Sequence, residues 1–160
     1  MPTLVLVRHA QAAYNYPDRA RPLTEAGRDQ AARLGVTLAR EIGAFDVAVS
    51  SDAQRARETF AAILARVDTD DSWHDRSIYD GGEEEIIELA RTFTGEAGLI
   101  VGHEPVISYA GYILAHQEDR GAADRGVPTA TALVLSFEGA WEDLAPGTCA
   151  VRVFYTPPTR

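Results

Sequence analysis

The sequence has 160 residues and a formal net charge of −9, with 24 acidic and 15 basic side chains. Its hydrophobic content of 46% is typical of a globular protein and excludes a disordered, collagen-like or coiled-coil chain. The length fits a single domain over residues 1–160. The negative charge disfavours nucleic acid and anionic membranes as partners. It leaves an anionic substrate possible, because a basic pocket can form in an acidic protein.

Cysteine content and apolar run length predict where the protein resides. Cys149 is the only cysteine, so no intramolecular disulfide can form. The longest apolar runs, such as Leu4–Val7 and Ala132–Leu135, are far shorter than the ~20 residues of a membrane span. Met1 leads directly into a strand-like run without the features of a signal peptide. We therefore expect a cytoplasmic protein, and we expect a monomer.

In the first half of the chain, short apolar runs alternate with helical periodicity. A loop over Arg8–Arg21 follows the first run. The predicted elements are, in order, a buried strand at Thr3–Val7, a helix from an N-cap at Thr24 to a stop at Gly43, a buried strand at Phe45–Val49, and a helix capped by Ser50-Ser51-Asp52 that runs to about Arg66.

The second half begins with an acidic, irregular stretch, Asp68–Asp80, in which we predict at most a short strand near Ser77–Tyr79. A loop at Gln117–Pro128 and a frayed tail at Thr156–Arg160 are also predicted. The regular elements are, in order, a helix marked by Ile86, Ile87, Ala90 and Phe93, a core strand at Leu99–Val101, a helix from Pro105 towards His116, and strands at Thr129–Phe137 and Cys149–Tyr155.

Alternating strands and helices predict an α/β fold, a three-layer sandwich around a mostly parallel sheet. The connection between the last two strands is too short for an ordinary helix, so we expect an antiparallel strand at one edge. No segment is long enough to form an inserted cap domain.

Basic and imidazole side chains follow three of the predicted parallel strands. They are Arg8-His9, Ser50-Ser51 with Arg55 one turn into the next helix, and Gly102-His103. Ligands bind beyond the carboxyl ends of such strands, where helix N-termini favour anions. Two guanidinium groups add bidentate recognition of phosphate. The pattern therefore predicts a site for a phosphoryl group.

Four segments resemble, in order, the motifs of the histidine phosphatase superfamily. They are Leu4–Ala10, similar to a first strand ending in Arg-His-Gly; Arg21–Gly27, similar to Pro-Leu-Thr-x-x-Gly; Ser51–Thr59, similar to Ser-Pro-Leu-x-Arg-Ala-x-Gln-Thr; and Val101–Pro105, similar to Val-Gly-His-x-Pro. The short chain without long insertions resembles the SixA-like phosphohistidine phosphatases. Ala10, Asp52 and Glu58 depart from the usual glycine, proline and glutamine of these motifs.

This resemblance implies a role for each matched residue. His9 would be the nucleophile that carries a covalent phosphoryl group, and His103 would donate a hydrogen bond to a phosphoryl oxygen. Arg8 and Arg55 would clamp the phosphate. Arg21 and Ser51 are candidates for substrate binding, although Arg21 also fits a plain loop residue and Ser51 a helix cap. No metal or other cofactor is expected.

A general acid is not evident. The candidates are Asp80, Glu83, Glu84, Glu85 and Glu104. An alkoxide leaving group needs such an acid, whereas an imidazole leaves more easily and reduces the need. We therefore expect a phosphatase for phosphohistidine on a signalling protein. The alternatives are a phosphatase for small phosphomonoesters, such as sugar or nucleotide phosphates, and a non-catalytic phosphate-binding module. The loop over residues 117–128 could form a specificity lip.

Overall fold

A computed structural model describes residues 1–159 and contains one six-stranded sheet. The strands are β1 (Thr3–Arg8), β2 (Ala44–Ser51), β3 (Asp68–Asp75), β4 (Ala97–Gly102), β5 (Thr131–Ser136) and β6 (Ala150–Tyr155). Their spatial order is β3-β2-β4-β1-β5-β6. The first four are parallel, and β5 is antiparallel to both of its neighbours. The mostly parallel sheet with antiparallel pairing at one edge is therefore confirmed, with β5 one position in from the edge strand β6.

Helices cover both faces of this sheet. They are α1 (Glu25–Glu41), α2 (Gln54–Leu64), α3 (Arg76–Asp80), α4 (Glu83–Arg91) and α5 (Val106–Leu114). Successive side chains of a strand point to opposite faces, and β1 is buried on both. Val5 and Val7 pack in the core cluster under α1 and α2, whereas Leu4 and Leu6 pack in the cluster under α4 and α5. The predicted three layers are confirmed.

Local signals in the sequence set several helix boundaries. The Thr24 side chain caps α1 by accepting a hydrogen bond from the Gly27 N–H at 3.0 Å. Gly43 follows α1 with φ of +91°, a conformation that glycine adopts without strain. Helix α2 ends at Leu64, and α5 ends at Leu114, each two residues before the predicted limit.

The acidic stretch after α2 was predicted incorrectly. Asp68–Asp75 forms the regular strand β3, and Ser77–Tyr79 lies within the short helix α3 instead of a strand. β3 pairs with β2 in the part of the chain that the structure describes, and most of its side chains are exposed. Charged side chains suit an exposed edge strand, where they oppose pairing with another chain. Because its residues are mostly acidic and polar, the sequence did not indicate this strand.

The segment predicted to be frayed is held against α1. Gln30 donates a hydrogen bond to the Thr156 carbonyl oxygen at 2.7 Å, and the Thr159 hydroxyl donates to Asp29 at 3.2 Å. Arg160 lies outside the described residues. The predicted loop at Gln117–Pro128 begins with a 3₁₀ helix over Gln117–Ala122. None of the helices in residues 1–159 is long and apolar enough to cross a membrane.

Candidate active site

The three strand ends that carry the predicted site residues lie side by side, because β4 lies between β1 and β2. The register pairs Arg8 with Gly102, so His9 and His103 are the next residues on adjacent strands. The centroids of the two imidazole rings are 5.3 Å apart. The sheet thus brings together two histidines that are 94 positions apart in the sequence (103 − 9).

His9 is held in one tautomer by the backbone. Its Nδ1 lies 2.7 Å from the Ala10 carbonyl oxygen, which can only accept, so Nδ1 carries the proton. Nε2 then carries the lone pair of the ring and accepts a hydrogen bond from Arg55 Nε at 3.3 Å. Burial is the main cause that lowers the pKa of His9 to about 3; the hydrogen bond to Ala10 opposes it, and the charges of His103, Arg55 and Arg8 contribute to the lowering. At neutral pH, His9 is an uncharged imidazole with a nucleophilic nitrogen.

His103 is oriented by Ser51. The Nε2 of His103 lies 2.8 Å from the Ser51 hydroxyl oxygen, and Ser51 is fully buried. Burial, and secondarily the Arg55 charge, lowers the pKa of His103 to about 4. The hydroxyl of Ser51 also accepts a hydrogen bond from the Ala53 N–H at 3.2 Å. Ser51 therefore links the start of α2 to His103.

Helix α2 presents two side chains, one turn apart, to the end of β1. Arg55 is almost completely buried and reaches His9, while the Thr59 hydroxyl accepts a hydrogen bond from the Ala10 N–H at 3.0 Å. Arg8 donates to the Val127 carbonyl oxygen at 2.9 Å. Its Nε is buried and has no hydrogen-bond partner within residues 1–159. These cations surround the histidines with positive charge.

Arg21 lies at the rim of this cluster. Its Nε donates to the Ala13 carbonyl oxygen at 2.8 Å, and its Nη1 lies 3.5 Å from the Asp18 carboxylate. Four predicted residues, His9, His103, Arg8 and Arg55, therefore form one cluster, with Arg21 beside it. Ser51 contacts this cluster through His103.

Asp18 is the acidic residue that the structure places in contact with the cluster, and sequence reasoning missed it. It lies in a 3₁₀ turn over Asp18–Ala20, in the connection between β1 and α1. Arg55 donates to its carbonyl oxygen at 2.7 Å and to its carboxylate at 3.2 Å. The Tyr79 hydroxyl donates to the same carboxylate at 2.6 Å. The hydrogen bond from Tyr79, assisted by Arg55, lowers the pKa of Asp18 to about 2.

The five general-acid candidates have other contacts. Arg76 binds Asp80 at 2.8 Å, and Glu85 accepts a hydrogen bond from the Gly82 N–H at 3.0 Å. Glu104 accepts from the N–H groups of Ser108 and Val127. Glu83 and Glu84 line a separate surface hollow, whose lining includes neither histidine. None of the five hydrogen-bonds to His9, His103 or Arg55 within the described residues.

Comparisons with known proteins identify the family of this chain. The model of the histidine phosphatase superfamily (branch 1) matches residues 4–81. An uncharacterised protein of Mycobacterium tuberculosis is 32% identical over 94% of this chain and 99% of its own. A SixA protein from Nakamurella multipartitia is 33% identical, with a TM-score of 0.83 over 97% of this chain and 96% of its own. The chain belongs to the histidine phosphatase superfamily and is SixA-like.

A solved structure of lower sequence identity has the same fold. The protein histidine phosphatase SixA in complex with tungstate superposes with a TM-score of 0.76. The two chains are 19% identical, and the match covers 94% of each. At this identity the likeness shows the fold, which here places the histidines and arginines of the SixA-like chain at one edge of the sheet.

Proposed function

We propose that this SixA-like protein is a phosphohistidine phosphatase that works through a covalent phosphoryl group on His9. The observation that carries the proposal is the state of His9, which is neutral and has its lone pair on the Nε2 that faces Arg55. A neutral imidazole can attack phosphorus directly. Binding of phosphate alone does not require such a nucleophile, so the non-catalytic module is disfavoured.

In the first step, the Nε2 lone pair forms a bond to phosphorus while the P–N bond of the substrate breaks. The electron pair of that bond goes to the departing ring nitrogen. The substrate imidazole leaves as a neutral ring, because its other nitrogen keeps its proton. Arg8, Arg55 and His103 stabilise the charge on the phosphoryl oxygens, and the Ala10 carbonyl holds the proton on His9 Nδ1.

In the second step, a water oxygen forms a bond to phosphorus as the bond to His9 breaks. The electron pair returns to Nε2, which restores the neutral imidazole, and the proton of water leaves with phosphate or to solvent. Neither step needs a proton donor for an alkoxide. This agrees with the environment of Asp18, whose low pKa keeps it ionised at neutral pH.

A direct comparison of substrates tests the proposal. The wild-type protein is assayed at one pH on a phosphohistidine-containing phosphotransfer protein and on a panel of sugar and nucleotide phosphates. We expect kcat/KM for the phosphoprotein to exceed that for each small ester by at least about tenfold, roughly 1.4 kcal/mol. A preference for a small ester would favour the alternative, a phosphomonoesterase. The matched variant Glu84→Gln should retain activity, since Glu84 lies in the separate hollow.

A further inference from the structure

The carboxylate of Asp18 lies against the same guanidinium group as the nucleophile. Arg55 donates from Nε to His9 Nε2 at 3.3 Å and from Nη2 to Asp18 Oδ2 at 3.2 Å. Nε and Nη2 form one edge of the planar guanidinium fork. The carboxylate oxygen and the nucleophilic nitrogen therefore lie next to each other along the edge that would bind a phosphoryl group.

Asp18 is much more exposed to solvent than His9. His9 is only 7% exposed, and its Nδ1 is turned to the backbone of Ala10. The Asp18 side chain is 55% exposed. A substrate must approach Nε2 from solvent, and its leaving group must point back towards solvent during in-line attack. The leaving group therefore departs towards the solvent, to which Asp18 is exposed.

Asp18 is surrounded by hydrogen-bond donors. Tyr79 donates to Oδ2 at 2.6 Å, and Arg21 approaches Oδ1 at 3.5 Å, in addition to Arg55. Tyr79 is itself fixed, because its ring lies edge-on to His103 and below the guanidinium of Arg19, which is 4.5 Å from the ring centroid. Donors of this kind stabilise the ionised carboxylate and leave it unable to supply a proton.

We propose that Asp18 determines the leaving group: its carboxylate accepts a hydrogen bond from the N–H of a departing imidazole and disfavours departing oxygen anions. This inference rests on the proposed function and goes further by naming the residue that selects the class of substrate. The residue acts through charge and hydrogen bonding on the substrate ring, and the covalent steps remain those of His9.

The two classes of leaving group respond to a carboxylate in opposite ways. A phosphohistidine ring that carries a proton on its second nitrogen is cationic, so a neighbouring carboxylate favours the protonated form, whose P–N bond breaks to give a neutral imidazole. An ester places a growing negative charge on oxygen next to the carboxylate, and like charges at short distance repel. A repulsive group against the wrong substrate is a common source of specificity.

The test compares Asp18→Asn with the wild-type full chain on two small probes, free N-phosphohistidine and phenyl phosphate. We expect the ratio of kcat/KM for phosphohistidine over phenyl phosphate to fall at least tenfold in the variant. The matched control is Asp52→Asn, which removes a carboxylate that pairs with Arg19 and not with Arg8 or Arg55. For this control, the ratio of kcat/KM for the two probes should stay within twofold of the wild-type value.

Equal changes in kcat/KM for the two probes would overturn the inference. If both rates rise together and inorganic phosphate inhibits more strongly, Asp18 only competes with the phosphoryl group for Arg55. If both rates fall together, Asp18 only holds the connection between β1 and α1. The proposed function is judged separately, because it depends on which substrate the wild type prefers, whereas this inference depends on whether Asp18→Asn changes the ratio. Thermal unfolding of each variant confirms that the fold is retained.

Discussion

The Nδ1 of His9 lies 2.7 Å from the carbonyl oxygen of Ala10, and this one contact decides which ring nitrogen can react. The contact is itself fixed from two sides. The Ala10 N–H binds Thr59 on α2, and the Ala130 N–H binds the carbonyl oxygens of Arg8 and His9 at 3.1 and 3.2 Å. His9 is therefore oriented by a backbone carbonyl group whose position depends on the Thr59 side chain and on the backbone of Ala130.

Replacement of His9 should abolish turnover without loss of the fold. In His9→Ala, the covalent route is absent, and the remaining cations can bind phosphate but cannot transfer it. The measurement is hydrolysis of an aryl phosphate together with phosphate labelling of the protein, stopped with detergent at alkaline pH. Wild type should carry acid-labile phosphate, and the variant should carry none. Normal turnover by His9→Ala would rule out this mechanism.

The low pKa values of the two histidines predict an unusual pH profile. With pKa values of about 3 for His9 and about 4 for His103, both rings stay neutral when the pH is lowered through 6.5. Titration by NMR should therefore show neither ring protonating between pH 5.5 and 7.5, and kcat/KM should show no acid limb from His9 in that range. A ring signal that titrates near pH 6.5 and tracks the loss of activity would contradict the prediction.

The same shifts predict how stability depends on pH. Between pH 6.5 and the native pKa values, the unfolded chain binds protons at His9 and His103 that the folded protein does not bind. The free energy of unfolding should therefore fall as the pH decreases through this window, by up to about 1.4 kcal/mol per pH unit for each histidine. Urea unfolding at pH 7.0 and 5.0 measures this decrease in the free energy of unfolding. The variant His9→Gln should show a weaker dependence of the unfolding free energy on pH.

The shape of Arg55 should matter as much as its charge. Arg55 donates from three nitrogens to His9 and Asp18, and lysine cannot reproduce this planar fork. We expect Arg55→Lys to lower kcat/KM by about 10²-fold, which is about 2.7 kcal/mol. The control is Arg57→Lys, because Arg57 lies two residues further along α2 and its side chain is exposed. Equal effects of the two variants would place Arg55 outside the phosphate clamp.

Chelation should leave the activity intact. No group of three or more His, Cys, Asp or Glu side chains in residues 1–159 is arranged to hold a metal ion. The positive charge available to a phosphoryl group comes from Arg8 and Arg55 instead. Activity measured after dialysis against EDTA should match that of the untreated protein. Loss of activity with rescue by one divalent ion would show that a metal ion, and not Arg8 and Arg55 alone, stabilises the phosphoryl group.

A glycine in the second motif fixes the segment that follows His9. A Cβ on Gly27 would lie 2.0 Å from the Gln11 carbonyl oxygen, so any side chain would separate α1 from the residues beyond β1. We expect Gly27→Ala to destabilise the protein by about 1–3 kcal/mol or more. Gly121→Ala is the control, since a Cβ there meets no atom within 4 Å. Urea midpoints of the two variants should differ clearly.

Sequence reasoning located the strands that carry the site, because buried parallel strands are continuous apolar runs followed by capped helices. It failed for β3, whose acidic side chains are exposed at the sheet edge. It also missed Asp18, whose contact with Tyr79 joins two residues 61 positions apart that meet only after the chain folds. No local periodicity or motif marks Asp18. Glu104 was a plausible acid by position, but it binds backbone N–H groups of α5 and the segment before β5.

The position of β4 between β1 and β2 has a consequence for synthesis on the ribosome. Three of the four motifs are translated before residue 97, where β4 begins, yet β1 and β2 do not pair with each other. A nascent chain of that length therefore has His9 and Arg55 but no strand to hold them together. The cluster of His9, Arg55 and His103 can form only after β4 has emerged and entered the gap, so N-terminal fragments that end before β4 lack an assembled candidate site.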